Sequence, residues 1–233
     1  MRSPRILIRG LCFWRFAILV PDEPDRFSGG DAAATIHMLD PVGSTSWHNR
    51  HLGYFRRLGE LLAGPARPVV LIVGPGAVTR LTAPLLNDSA RPGSAIRKLI
   101  GDAARYSDQL LRRIPGMPLR SLEPLEVEAA LKIDHDLIVA DRSRRVLAAV
   151  VRDVPTARCV PCDLSLGGPG VVADAVIAFN IVCRLERPTE GMRHLIDCVR
   201  PGGLLLIDDR SAEAHLPKSQ FVEIAPKTRR RTD

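Results

Sequence analysis

The chain has 233 residues, of which 45% are hydrophobic and 4% aromatic, and a formal net charge of +7. This composition excludes a small disulfide-stapled domain and a low-complexity chain, and the length favours one domain with an insertion over two domains. Almost all of the basic residues are arginines, an excess typical of a GC-rich genome. A nucleic-acid or other anionic partner stays open as the second explanation of the charge.

The cysteines are odd in number, which favours a reduced, cytoplasmic protein over a disulfide framework. They are Cys12, Cys159, Cys162, Cys183 and Cys198. Arg9 and Arg15 interrupt the apolar start of the chain, and no apolar run approaches the 18 or so residues that a membrane span needs. We expect 1–46 to form an N-terminal arm and loop, followed by a domain over 47–225 and a basic tail over 226–233.

A helix is predicted over Trp47–Leu62, because apolar residues recur there at helical spacing and Gly64 then ends the pattern. The apolar run Val69–Val73 follows and reads as a strand buried on both faces, as in a parallel sheet. The strand ends at Gly74-Pro75-Gly76. Glycine lets the backbone adopt positive φ and approach a ligand closely, so this loop is a candidate binding loop.

An insertion is predicted over 88–133, since 67 positions separate Gly74 from the next acid that ends a strand, Asp141. Apolar residues at helical spacing predict an amphipathic helix over 94–114, and a second helix is predicted over 123–131. The insertion is expected to be a packed elaboration or a homodimer surface. The alternative is a lid over a binding pocket, and the arginines of this lid would meet an anionic substrate or RNA.

Three further strands are predicted to end in polar residues. Asp141 ends Leu137–Asp141, Asp163 follows the strand 157–160, and Asn180 ends Ala173–Asn180. Because ligands bind beyond the carboxyl ends of parallel strands, these residues should lie at the same edge as the glycine loop. A helix from Pro188 and a strand over 204–207 complete the series.

Two nucleotide-binding patterns are excluded by the sequence. A dinucleotide fingerprint needs glycine where Thr79 stands and an acid about 20 residues further on. A phosphate-binding loop with Gly-Lys-Ser/Thr occurs nowhere in the chain. Cys159 and Cys162 have redox or zinc spacing, but they end a strand and have no ordered second pair, so no metal site is predicted.

The ordered set of segments between Trp47 and Asp208 resembles the class I S-adenosylmethionine-dependent methyltransferases. The resemblance implies an α/β fold with a doubly wound, mainly parallel Rossmann-like sheet and S-adenosylmethionine as cofactor. Families of this type add a helix and an antiparallel strand pair at the end. Only Phe221–Ile224 reads as a strand there, so we expect a shortened C-terminal edge.

The resemblance also implies the roles of the strand-end residues. Gly74, Pro75 and Gly76 form the cofactor loop, and Asp141 receives the ribose hydroxyls, with Arg142 in the same cofactor-binding set. A simple helix cap is the alternative role of Asp141. The remaining implied cofactor contacts are Asp163 to the adenine amino group, a backbone amide of Leu164, and Asn180 near the transferred methyl group.

Two positions depart from the family pattern: Ile72 stands where an acid is usual, and Val78 where a third glycine is usual. The chain also lacks the Asn/Asp-Pro-Pro-aromatic signature of many amino-group methyltransferases. No catalytic base is assigned; Asn180, His48 and Tyr54 are hypotheses.

Three functions remain open. The first is methyl transfer to a small-molecule acceptor by direct displacement. RNA methylation is the second, because arginines occur in the insertion and the tail. A non-catalytic methyltransferase-like binding or partner subunit is the third, because Ile72 and Val78 break the loop pattern.

Overall fold

The computed structural model describes residues 50–64, 66–86, 95–207 and 210–232, with backbone only for 95–102 and 210–211. The arm 1–46, with Trp47 and His48, lies outside the described residues. The helices are α1 Leu52–Leu62, α2 Ala95–Leu111, α3 Leu122–Leu131, α4 Arg144–Asp153, α5 Pro188–Asp197 and α6 Arg210–Ala214. The strands are β1 Val69–Val73, β2 Val78–Thr79, β3 Leu119–Arg120, β4 Asp136–Asp141, β5 Arg158–Pro161, β6 Ala173–Ala178, β7 Val199–Ile207, β8 Phe221–Ala225 and β9 Thr228–Arg231.

Seven strands form one sheet in the order β5-β4-β1-β6-β7-β9-β8. The first five run parallel, and β9 pairs antiparallel with both β7 and β8. The order reverses at β1, between β4 and β6, where an open α/β sheet forms its binding crevice. The predicted doubly wound, mainly parallel Rossmann-like sheet is therefore confirmed.

Both faces of the sheet are covered, which explains why its strands read as continuous apolar runs. On one face, Leu71 and Val176 pack with Met192 and Leu195 of α5. The opposite face packs against α1, α3 and α4, through buried residues that include Phe55, Leu58, Val127, Leu147 and Val150. This two-sided core fixes the carboxyl ends of the strands at one edge.

The inserted segment lies earlier in the chain than the predicted 88–133. The buried side of α3 belongs to the same core as β1, and a Cβ on Gly59 of α1 would overlap the backbone of Leu131 in α3. This helix is therefore the ordinary crossover between β1 and β4. The extra chain is 77–120, which leaves and returns through the antiparallel pair of β2 and β3.

The face that α2 buries also differs from the prediction. Leu110 is half exposed, whereas Asp108 and Arg112 are buried and form an ion pair with 2.7 Å between Arg112 Nε and Asp108 Oδ2. Asp108 Oδ1 accepts hydrogen bonds from the Thr79 amide at 2.7 Å and the Thr82 hydroxyl at 2.5 Å. A hydrogen-bonded polar network attaches this part of α2 to the loop that begins the insertion, beside the apolar contacts of the buried Ala104.

The C-terminal edge is more complete than we expected from the sequence. The predicted basic tail 226–233 contains β9, which lies inside the sheet, so the domain does not end at 225. Its arginines are accommodated by the fold: Arg229 Nη2 lies 2.8 Å from Glu213 Oε1, and Arg231 Nη1 donates to the Val199 carbonyl at 2.6 Å. These partners allow a strongly charged segment to form a strand.

Candidate functional site

The carboxyl ends of four parallel strands surround one cavity of about 330 Å³. Its walls come from the residues that follow β1, β4, β5 and β6. Seven of the eight predicted cofactor residues line it, namely Gly74, Gly76, Asp141, Arg142, Asp163, Leu164 and Asn180, whereas Pro75 does not. The cavity lies where the strand order reverses, the usual ligand site of such sheets.

The glycine loop is bound tightly to its neighbours. Gly74 and Gly76 have φ values of +65° and +63°, which disfavour any residue with a Cβ. The Gly74 amide donates to the Ala140 carbonyl at 2.8 Å, and the Ser121 hydroxyl donates to the Gly76 carbonyl at 2.8 Å. A Cβ on Gly74 would overlap the Ile181 side chain, so the loop leaves room only for backbone.

The two departures from the family pattern both have structural roles. Ile72 is fully buried and packs with Phe55 and Val127 on the face of the sheet that carries α1 and α3. A carboxylate at this position would be desolvated. Val78 pairs with Arg120 in the small sheet that opens the insertion, so the chain turns away where the third glycine would stand.

Asp141 does not cap the helix that follows it, α4. Ser143, not Asp141, caps α4, since its hydroxyl accepts from the Val146 amide at 3.3 Å. Asp141 Oδ1 accepts from the Ser143 amide at 2.8 Å, which orients the carboxylate in the turn after β4. Asp141 is only 7% exposed and lines the cavity. The helix-cap alternative for Asp141 is therefore wrong.

Asp163 holds the turn after β5. Its Oδ1 accepts from the Ser165 amide at 2.9 Å, and its carbonyl accepts from the Leu166 amide at 2.9 Å. Leu164 is buried under this turn, whereas Leu166 is 86% exposed at the cavity. The turn therefore presents a carboxylate beside an apolar surface. A flat ring system with polar edges could donate a hydrogen bond to the carboxylate and pack against the apolar surface.

The segment after β6 forms another wall of the cavity. Asn180 adopts φ +52°, which turns the chain at the strand end and brings Ile181 against Gly74. A short 3₁₀ helix, Val182–Arg184, follows, and Arg184 and Glu186 also line the cavity. Sequence reasoning missed these two residues, although their place just after a strand-end Asn180 was a usable signal.

The four cysteines that the structure describes give no sign of a metal or redox centre. Cys162 lines the cavity, and burial, together with Asp163 and Asp141, raises the pKa of its thiol to about 11. Burial also raises the pKa of Cys159. No group of three or more His, Cys, Asp or Glu side chains that could hold a metal ion occurs among the described residues.

Aromatic residues of α1 meet the end of β6, next to Asn180. The ring of the buried His51 lies 4.1 Å from that of Phe179, measured between centroids, and Phe55 stacks on Phe179 at 5.9 Å. Tyr54 lies 6.5 Å from Phe179 and beneath Lys227, whose Nζ is 5.1 Å from the Tyr54 ring centroid. Tyr54, one of the catalytic hypotheses, does not line the 330 Å³ cavity. The other hypothesis, His48, lies outside the described residues.

The insertion is attached beside the cavity through α4. Arg145 Nη1 donates to the Arg112 carbonyl at 2.9 Å, and Arg145 Nη2 donates to the Ile114 carbonyl at 3.2 Å. Arg80 in the insertion also pairs with Asp153 at the end of α4, at 2.7 Å. The turn after α2 is therefore held near Arg142, at the start of α4.

Within the part of the chain that the structure describes, no helix is long and apolar enough to cross a membrane.

No known protein family model matches the chain, and no curated protein matches it. Solved structures do. The N-methyltransferase NodS of Bradyrhizobium japonicum, in complex with S-adenosylhomocysteine, is 11% identical with a TM-score of 0.49, covering 83% of this chain and 92% of that one. A SAM-bound amino pentose methyltransferase of Micromonospora echinaspora is 18% identical, with a TM-score of 0.41.

That second match covers 70% of this chain and 51% of the other, so the chain spans about half the length of the Micromonospora enzyme. The plantazolicin methyltransferase BpumL, in complex with a monoazolic desmethylPZN analogue and SAH, is 13% identical with a TM-score of 0.41, and the match covers 73% of this chain and 53% of that one. Identities this low describe a likeness of fold. The function has to be argued from the residues around the cavity.

Proposed function

We propose that this protein transfers the methyl group of S-adenosylmethionine to a small-molecule acceptor. The observation that carries the proposal is the convergence of two glycines, Asp141, Asp163 and Asn180 on one cavity at the sheet's switch point. The two glycines come from the loop after β1, and the other three residues come from the ends of three further strands. A ligand that touches all of them must be extended and must combine hydroxyl or amino groups with a part that lies against bare backbone.

The nucleoside half of the cofactor suits the two carboxylates. An ionised carboxylate accepts hydrogen bonds through two oxygens, which matches the paired hydroxyls of a ribose. In this proposal Asp141 accepts from the ribose, and the turn of Asp163 receives the adenine, with the Leu164 amide as donor. The exposed Leu166 then covers one face of the ring system.

The methionine half suits the glycine loop. A Cβ on Gly74 would occupy the space beside Ile181, so the loop offers backbone at close range where a side chain would block access. With Ile72 committed to the apolar core, the chain has no acid at the family's usual position at the end of β1. The proposed grip on this half is therefore weaker than in the family pattern.

The bound cofactor would supply a methyl group on a positively charged sulfur. A lone pair of the acceptor would form the new bond to the methyl carbon while the carbon–sulfur bond breaks, and the electrons of the broken bond would neutralise the sulfur and leave S-adenosylhomocysteine. The acceptor releases its proton to water or to a neighbouring base. The described residues contribute position and exclusion of water, and such positioning can supply several kcal/mol of barrier reduction.

Arg229 and Arg231 of β9 are bound to partners within the fold, and this favours a small acceptor over RNA. Arg229 contacts both Glu213 and Glu223, and Arg231 donates to the backbone at the end of α5 and the start of β7. Two of the three arginines of β9 therefore have partners inside the fold, whereas Arg230 is exposed. A basic arm for RNA would instead keep its cations available for phosphates.

Transfer of labelled methyl groups tests the proposal. The purified protein is titrated calorimetrically with S-adenosylmethionine, S-adenosylhomocysteine and NAD⁺, and then incubated with labelled S-adenosylmethionine and either a metabolite mixture or total RNA. Binding near micromolar, about −8 kcal/mol, with label appearing in small molecules, supports the proposal. Binding without transfer would favour the non-catalytic alternative. Label in RNA would favour RNA methylation. Absence of any S-adenosyl ligand binding would overturn the cofactor assignment.

A further inference from the structure

Two arginines on the cavity wall have no ion-pair partner among the described residues. Arg142 follows Asp141, and Arg184 ends the 3₁₀ helix after Asn180; both line the cavity and both are exposed. The neighbouring Arg187, by contrast, pairs with Glu190 at 3.3 Å and does not line the cavity. Arg142 and Arg184 are therefore cations available to a ligand.

The turn after α2 lies near Arg184. Arg112 is buried and paired with Asp108, and burial is the main reason why its pKa lies below the usual value. The positive charges of Arg184 and Arg113 lower it further, so Arg184 lies within electrostatic reach of the turn after α2. Arg145 holds this turn through the Arg112 and Ile114 carbonyls.

The acids of the cavity do not neutralise these arginines by direct contact. Asp141 and Asp163 each accept an amide hydrogen bond within their own turns, and the proposed function assigns them to the nucleoside. Glu186 also lines the cavity, two residues after Arg184, yet no ion pair joins the two. Its charge would weaken the attraction of an anion to Arg184 without removing it.

We propose that the acceptor is a small-molecule anion, whose carboxylate or phosphate group is bound at the cavity mouth by Arg184 and by Arg142, which this proposal assigns to the acceptor and not to the cofactor. The inference rests on the proposed function and adds the chemical class of its acceptor. Guanidinium groups bind both oxyanions through two parallel hydrogen bonds. Both arginines line the cavity and are exposed, so their guanidinium groups are accessible to a ligand from solvent.

Binding of simple anions to the protein saturated with S-adenosylhomocysteine tests this inference. The probes are benzoate and phenyl phosphate, titrated calorimetrically at low salt. We expect Arg184→Ala to weaken at least one of them about tenfold, the loss of one charge-assisted interaction. Arg184→Lys should recover part of the affinity, and Arg187→Ala, the control in the same segment, should bind like the wild type. Glu186→Gln should bind the anion more tightly.

The outcomes distinguish failure of the acceptor class from failure of the proposed function. If the wild type does not bind S-adenosylhomocysteine, the proposed function fails irrespective of the arginines. If it does bind, but the probes bind equally to wild type and Arg184→Ala, the anionic acceptor is overturned. It is also overturned if Arg184→Ala weakens S-adenosylhomocysteine but not 5′-methylthioadenosine, since Arg184 would then hold the cofactor's own carboxylate. The anionic acceptor is overturned as well if Arg184→Ala binds both probes like the wild type and loses affinity only for a short RNA.

Discussion

The side chain of Ile181 packs directly on Gly74, so the loop after β6 rests against the loop after β1. The contact joins the two strand ends that flank the switch point of the sheet. It requires a residue without a Cβ at 74 for two independent reasons, the positive φ and the missing space. The shape of the cavity at this point is therefore set by one glycine and one isoleucine.

Gly74→Ala should lower both stability and cofactor affinity. The positive φ alone costs about 1–2 kcal/mol for a residue with a Cβ, and the overlap with Ile181 adds to it. Binding of S-adenosylhomocysteine should fall more than about tenfold, because the loop must move into the cavity. Urea unfolding and calorimetry measure the two effects.

Gly202→Ala is the matched control for this substitution. Gly202 has φ +73°, and a Cβ at this position would meet no other atom within 4 Å, so the variant shares the backbone cost without the overlap. It should lose stability and keep its affinity for S-adenosylhomocysteine. Adding Ile181→Ala to Gly74→Ala should restore part of the affinity. Equal affinities of Gly74→Ala and the wild type would show that this contact does not shape the site.

Asp108→Ala should be among the most destabilising single changes outside the sheet. It leaves Arg112 buried without its carboxylate and removes the acceptor of the Thr79 amide and the Thr82 hydroxyl. Removal of one partner from a buried ion pair typically costs about 3–5 kcal/mol. Urea unfolding measures the loss. Arg113→Ala, an exposed neighbour, should change stability by less than about 0.5 kcal/mol.

A loss below about 1 kcal/mol for Asp108→Ala would contradict the network. It would show that α2 is held mainly by apolar contacts, as its sequence pattern suggested. The exposed Leu110 would then need another explanation.

Cys162 should react slowly with iodoacetamide and be protected by the cofactor. Its pKa of about 11 leaves roughly one thiolate in a thousand at pH 8, whereas an ordinary exposed thiol is about one quarter ionised. The exposed Cys183 should therefore be alkylated first. Because the folded pKa is raised, the rate at Cys162 should increase about tenfold per pH unit up to about pH 10.

Mass spectrometry of the labelled peptides measures each cysteine separately. S-adenosylhomocysteine should slow the reaction of Cys162, which lines the cavity, and leave that of Cys183 unchanged. Unchanged alkylation of Cys162 at saturating ligand would place the ligand elsewhere.

Much of the fold follows from the sequence because parallel strands buried on both faces leave continuous apolar runs. Val69–Val73 and Ala173–Ala178 carry this signal, and the polar residue after each strand marks the ligand edge. Asp141 and Asp163 could thus be located from the sequence alone. Their common cavity depends only on strand direction and order.

The remaining features depend on partners that are distant in sequence. The strand over Thr228–Arg231 was missed because arginines disfavour a strand until Glu213, Glu223 and backbone carbonyls receive them. The buried side of α2 was misjudged because Asp108 finds its partners 26 and 29 residues away, in the loop that begins the insertion. Arg184 could not be assigned from the sequence, because its position near the turn after α2 depends on the fold.

The most direct test of the central claim compares two aspartates at opposite ends of β4. Asp141 ends the strand at the cavity, whereas Asp136 begins it at the other edge, about half exposed and 3.0 Å from Arg67. Calorimetric titration with S-adenosylhomocysteine should give binding near micromolar for the wild type and for Asp136→Ala. Asp141→Ala should bind at least about tenfold more weakly. Equal binding by all three proteins, or binding by none, would contradict an S-adenosylmethionine site at the carboxyl edge of this sheet.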